Sequence, residues 1–217
     1  MTIRECGESM LLVELEAAID PVINERAILL AARIRARQAR GVRDVAPGYC
    51  TVGVHFDPLQ TDLAALEHAI QAEFSAIEAI DAIVDRSVIE VPVHYGGDGG
   101  PDLAAVAAFA GCAEQEVIAR HSGRTYRVYM LGFVPGFAYM GRVDASIAAP
   151  RHRVPRERVP AGSVGIAGGQ TGVYPVDSPG GWQLIGRTDT VMFDPRRERP
   201  SLLAPGDVVR FVAESWR

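Results

Sequence analysis

The sequence predicts an α+β chain in two parts: a ferredoxin-like βαββαβ domain over residues 1–86 and a closed, antiparallel-rich β-barrel domain over 87–217. Three observations carry this. Apolar residues recur at helical spacing in the first half, and that period disappears from Thr125 onward. Short apolar runs between turn residues then take over, the pattern of many short strands. Half of the 22 glycines fall between Leu131 and Thr188, interleaved with Val, Ile, Tyr, Trp, Gln and Arg and stiffened by prolines. Such a mixture describes shaped loops rather than a flexible linker.

Taken in order, residues 8–16 have an apolar core and read as a strand. Asp20-Pro21 supplies an N-cap and a proline at the first helical position, and Ile23, Ala27, Leu30 and Ile34 follow on one face until Gly41. Val42–Val45, a Pro47-Gly48 turn and Cys50–Phe56 make a hairpin. Thr61 caps a second helix carrying Leu63, Leu66, Ile70, Phe74 and Ile77, and Ser87–Val93 is the last strand of the βαββαβ order.

Asp102 is placed as the cap of the next helix, after the glycine-rich crossing Tyr95–Pro101. The two short helices pivoting on Gly111-Cys112 look like a helix-turn-helix, but the second offers Glu114, Gln115, Glu116 and only Arg120 to a DNA groove. They read instead as a plug for one end of the barrel. Its strands are expected at Tyr126–Phe133, Gly162–Ala167, Gly172–Pro175, Trp182–Arg187, Thr190–Phe193 and Asp207–Val212.

Composition narrows the function classes. A net charge of −5 argues against a nucleic-acid partner. No apolar run approaches the ~20 residues of a membrane span, and no basic region leads into a signal peptide. Three scattered cysteines without a C-x-x-C pair fit reduced thiols in the cytoplasm. Every one of the 22 basic residues is arginine, so there is no P-loop lysine, no Schiff-base lysine and no lysine for covalent biotin.

The histidines show no paired-ligand spacing, so no metal site is expected; His121 reads as structural and His94 is left open. Ser163 misses the G-x-S-x-G elbow of a nucleophilic serine by one residue and reads as a turn hydroxyl. Gln170, Thr171, Tyr174, Ser178 and Arg187 converge in the punctuated tract. Gln170 both donates and accepts, and Arg187 can clamp a carboxylate or phosphate. Arg151, Arg153, Arg156 and Arg158 form a basic run that is either a solvated face or an anion surface. Phe133, Pro135, Phe137, Tyr139, Tyr174 and Trp182 could wall a pocket or form an interface.

Leu131–Gly141, Pro150-Arg151 with Val154-Pro155-Arg156, Val159–Pro175 and Ser178–Thr188 together resemble the signature of the allophanate hydrolase subunit 1 family. That family includes KipI and the B-type subunits of bacterial 5-oxoprolinases, and the resemblance is nearest to the latter. It implies a cyclophilin-like barrel of the carboxyltransferase C/D type behind a smaller N-terminal domain. It also implies ATP as cofactor, shared with a partner, and two partners: a subunit 2 or C-type (KipA-like) protein and an A-type (LamB/YcsF-like) protein. The implied activity is ATP-dependent opening of the 5-oxoproline lactam to glutamate, with the chain inactive alone. Under that reading Gln170, Thr171 and Arg187 are the expected catalytic residues. Arg151, Arg156, Ser163, Tyr174, Ser178, Gly180 and Gly181 would bind substrate or nucleotide. Two alternatives stand beside it: an allophanate hydrolase or urea carboxylase-type carboxyltransferase subunit, and a KipI-like inhibitor of a sensor histidine kinase.

Overall fold

A computed structural model describes residues 1–81 and 83–214. The chain forms two compact units, Met1–Asp85 and Arg86–Arg217.

In the first unit, β1 (Thr2–Glu5), β2 (Met10–Glu14), β3 (Val42–Pro47) and β4 (Thr51–Phe56) make an antiparallel sheet in the order β1-β2-β4-β3. Helix α1 (Pro21–Ala36) begins where the sequence places it, with the Asp20 carboxylate accepting from the Val22 and Ile23 amides. Ile23, Ala27, Leu30 and Ile34 are buried, and the last three join Leu11, Val13, Val52 and Val54 in one core. Helix α2 (Leu63–Ser75) is capped by Asp62, not Thr61, because the Asp62 carboxylate reaches the Ala65 amide. Gly41 lies beyond the end of α1, just before β3, with φ +82, and a Cβ there would collide with the Thr61 hydroxyl.

The mixed α/β class and the closed barrel are as the sequence predicts, but the last strand of the βαββαβ order comes from elsewhere. The edge position beside β2 is filled by β1, at the very start of the chain. The segment assigned to that position, Ser87–Val93, instead belongs to β5 (Val88–Tyr95) in the barrel. Val91, Val93 and Tyr95 alternate inward there, and burial among the barrel's side chains outweighs the alternative pairing.

The remaining strands are β6 (Thr125–Leu131), β7 (Ala138–Gly141), β8 (Arg156–Val159), β9 (Ser163–Ala167), β10 (Gln170–Val173), β11 (Ser178–Gly180), β12 (Gln183–Arg187) and β13 (Val208–Glu214). The barrel closes in the order β10-β7-β6-β13-β5-β12-β9, with β8 and β11 forming a separate ribbon. All barrel pairings are antiparallel except β13 with β5. Thr190–Phe193 makes no strand; Phe193 contributes only an isolated bridge to Ser201. Helices α3 (Leu103–Ala110) and α4 (Glu114–Ser122) put Leu103, Val106 and Val117 into the barrel core, so they serve as the plug.

Candidate functional site

A second, smaller core sits apart from the main barrel core: Phe137, Val159, Tyr174, Trp182 and Leu184. Its shape begins with two glycines. Gly165 on β9 and Gly172 on β10 are direct partners in the ladder. A Cβ at Gly172 would lie 2.8 Å from the Ala138 carbonyl oxygen and 3.2 Å from the Phe137 ring, and one at Gly165 would lie 3.1 Å from the Trp182 Cβ. The missing side chains therefore leave a flat patch of backbone onto which two aromatic rings settle. Phe137 is the hub, meeting Phe133, Tyr139, Tyr174 and Trp182 edge to face at centroid distances of 5.6, 4.9, 5.3 and 5.3 Å.

The turn between β6 and β7 delivers Phe133 and Phe137. Phe137 donates its amide to the Val134 carbonyl, and Gly132 donates to the Phe137 carbonyl. Within this turn Phe133 adopts φ +67 and stays 59 % exposed. An aromatic residue held in the left-handed region with its ring in solvent is strained backbone, which concentrates at functional sites.

The rings enclose a pocket of about 230 Å³ whose rim is completed by Arg151, Pro155, Pro179, Gly180 and Gly181. At Gly180 a Cβ would stand 2.8 Å from two carbons of the Tyr174 ring, so only glycine lets that ring lie against β11. Burial raises the Tyr139 hydroxyl above its ordinary range, opposed by the Arg151 charge. Burial likewise raises Tyr174, opposed first by a hydrogen bond with the Trp182 backbone. Both phenols are therefore neutral at physiological pH and able to donate.

Arg151 stands on a loop tied down at several points. His152 donates its amide to the Gly181 carbonyl at 2.6 Å, and the Gln183 side chain donates to the Pro150 carbonyl at 2.8 Å. Asp102 provides the deeper anchor. It occupies the N-cap position of α3, but its carboxylate makes no capping bond. It accepts instead from the Leu184 amide at 2.7 Å and from Arg156 Nη2 at 2.7 Å, with His152 Nε2 at 3.3 Å. The buried charge finds better partners across the fold than at its own helix end.

The structure brings Phe133, Phe137, Tyr139, Tyr174, Trp182, Arg151, Gly180 and Gly181 together around this one pocket. Pro135 lies beside it in a neighbouring groove that shares Phe133. Arg156 stands behind the pocket on Asp102. Ser163 is buried where β9 begins, its amide bonded to the Pro160 carbonyl, and Ser178 is buried on β11.

Gln170, Thr171 and Arg187 do not converge. Gln170 pairs with Ala167 at one end of β9, and Arg187 pairs with Ser163 at the other. Four residues of strand separate those partners, about 13 Å. Thr171 is wholly buried inside the barrel, its hydroxyl 2.9 Å from His121 Nε2 and donating to the Gly165 carbonyl at 2.9 Å. His121 also bonds the Tyr95 hydroxyl through Nδ1 at 2.7 Å and stacks on Phe211 at 4.7 Å. Desolvation lowers its pKa to about 3. A neutral histidine with Nε2–H donating to Thr171 and Nδ1 accepting from Tyr95 satisfies every bond in this chain, which is a structural role.

Pro179, in the turn with Gly180 and Gly181 that the sequence assigns to the pocket wall, does line it, whereas Asp102, His152 and Pro155 were not legible as site residues; an acidic residue ahead of an alanine-rich helix signals a cap, and only the fold reveals its other use. Among the described residues no cluster of His, Cys, Asp and Glu could hold a metal ion. No described helix is long and apolar enough to cross a membrane.

The sequence matches the family described as carboxyltransferase domain, subdomain C and D, over residues 1–203. The chain belongs to this family. Within the carboxyltransferase C/D family it is 44 % identical to the 5-oxoprolinase B subunit of Escherichia coli O157:H7, across 96 % of this chain and 94 % of that one. Identity to the 5-oxoprolinase B subunit of Bacillus subtilis (strain 168) is 40 %, across 97 % and 91 %. Among solved structures, TTHA0988 matches with a TM-score of 0.85 at 34 % identity, over 100 % of this chain and 41 % of that one.

Proposed function

We propose that this chain is the B-type subunit of a cytoplasmic 5-oxoprolinase, acting with partner subunits to hydrolyse the lactam of 5-oxoproline to glutamate. Similarity along nearly the whole chain to two proteins named as that subunit carries the reading. The three free cysteines support a reducing compartment.

The chemistry supports partners and ATP. A lactam is a resonance-stabilised amide, so its opening needs activation of the carbonyl and a placed water. The pocket offers cover, a guanidinium and neutral phenols, but no histidine or carboxylate among the described residues lines it to serve as base. The missing groups are assigned to the KipA-like C-type partner and the LamB/YcsF-like A-type partner. ATP supplies the activation; with no lysine in this chain, its phosphates would meet arginine, backbone amides or the partner.

The test is reconstitution. The chain with C-type and A-type partners should release glutamate and ADP from 5-oxoproline and ATP, and the chain alone should release neither. A complex that turns over urea or allophanate but leaves 5-oxoproline intact overturns the assignment in favour of the carboxyltransferase alternative. Loss of a histidine kinase's activity on adding the isolated chain, with no turnover in any mixture, would favour the inhibitor alternative.

A further inference from the structure

We infer that the aromatic pocket of this chain is the recognition site for a small cyclic carboxylic acid, with Arg151 clamping the carboxylate and Phe137, Tyr139, Tyr174 and Trp182 receiving the ring; for the reading above, that ligand is 5-oxoproline.

Size comes first. A pocket of about 230 Å³ lies below the roughly 300–1,000 Å³ of sites for drug-sized ligands. It suits a single small ring and is short of room for a whole nucleotide. Its walls are ring faces and edges, a surface that gains most from burying a flat, partly apolar body. Urea offers no such body.

Charge comes second. On the same stretch of chain Arg156 is held by Asp102 and Arg158 by Asp177. Arg151 makes no hydrogen bond or ion pair among the described residues, yet it lines the pocket and its charge reaches both the Tyr139 and Tyr174 hydroxyls. An unpaired arginine on a surface is ordinary. This one stands over apolar rings on a loop fixed by the His152–Gly181 and Gln183–Pro150 bonds, which is the setting in which a guanidinium fork recognises a carboxylate. Gly181 adjoins the guanidinium, a Cβ there standing at an ordinary contact distance of 3.6 Å from Arg151 Nε. The two neutral phenols can donate to a lactam carbonyl, completing a set of groups that distinguishes an acid bearing an amide from a plain amide.

The inference rests on the 5-oxoprolinase reading, and the experiment separates the two. In the reconstituted complex, Arg151→Ala should raise the KM for 5-oxoproline roughly 10- to 100-fold, the loss of a charge-assisted pair, and leave the KM for ATP unchanged. Arg151→Lys should recover only part, because a point charge does not replace the fork. Inhibition by 2-pyrrolidinone, the same ring without the carboxylate, should be weak and indifferent to Arg151→Ala. Quenching of tryptophan fluorescence by 5-oxoproline should vanish in Trp182→Phe. A complex fully active on 5-oxoproline whose KM ignores Arg151→Ala overturns the site and spares the reading. A raised KM for ATP instead assigns the pocket to nucleotide and also overturns it. A wild-type complex inert towards 5-oxoproline removes the reading, and this substrate assignment with it.

Discussion

His121 and Thr171 meet 2.9 Å apart in the barrel interior, on α4 and β10, with no solvent exposure at either residue. The bond continues to the Tyr95 hydroxyl on one side and to the Gly165 carbonyl on the other. It therefore connects the helical plug to three strands through groups that are costly to leave unpaired.

This chain of bonds gives stability a pH dependence with a defined sign. Burial lowers the His121 pKa to about 3, against about 6.5 in the unfolded chain. Between those values the unfolded state binds the extra proton, so stability rises with pH across the window and is lost as pH falls through it. The limiting slope from this one group is about 1.4 kcal/mol per pH unit. Urea titrations from neutral pH down to about pH 4 should show the loss beginning near pH 6.5, the unfolded-state value, and His121→Gln should flatten the curve in that range. An unchanged slope in the variant would assign the acid sensitivity to other groups.

Thr171→Val keeps the shape of the side chain and removes both of its hydrogen-bonding roles. His121 Nε2–H and the Gly165 carbonyl are then buried without this partner, a cost of about 1–3 kcal/mol in denaturant unfolding. Turnover per folded molecule in the complex should stay near wild type, because the hydroxyl cannot reach a ligand outside the barrel wall. A large loss of turnover at unchanged stability would return Thr171 to the catalytic set.

Much of the site was legible, and the reason is steric. Aromatic residues set among glycines mark places where rings lie on backbone, so Phe137, Tyr174, Trp182, Gly180 and Gly181 could be gathered from the sequence and do share one pocket. Gln170, Thr171 and Arg187 could not be sorted, because adjacent residues of a strand point to opposite faces and register decides which face is inside. Thr171 pairs with Ile166 and turns inward, a fact set by β9 rather than by its own neighbours. The edge strand was misplaced for a related reason. Thr2–Glu5 has little apolar character, whereas Ser87–Val93 has the stronger strand pattern, and only the barrel's demand for β5 decides between them.

Gly180→Ala tests whether the Tyr174 ring must lie against β11. The new methyl would sit 2.8 Å from the Tyr174 Cε1 and Cζ, atoms of a rigid ring already packed on Phe137 and Trp182. Displacement should cost about 1–3 kcal/mol, typical of overpacking. Near-ultraviolet circular dichroism should change with it, since several rings share the cluster. An unaltered spectrum and midpoint would show that Tyr174 gives way freely.

Asp102→Asn carries the sharpest distinction between a structural and a positioning role. The amide oxygen can still accept from the Leu184 amide, so the tie between the start of α3 and β12 is preserved. The charge facing Arg156 and His152 is not, and Arg156 Nη1 already lacks a hydrogen-bond partner. Removing one member of such a pair costs more than the pair contributes, because the other ion stays behind partly desolvated; with Arg156 about a third exposed, about 1–3 kcal/mol is expected. If Asp102 also holds the loop that presents Arg151, the variant should raise the KM for 5-oxoproline several-fold, with kcat changed less, even under conditions where it is fully folded. Combining it with Arg151→Ala then decides the matter. The two effects on KM should be markedly less than additive if Asp102 acts through Arg151, whereas independent addition would confine Asp102 to stability.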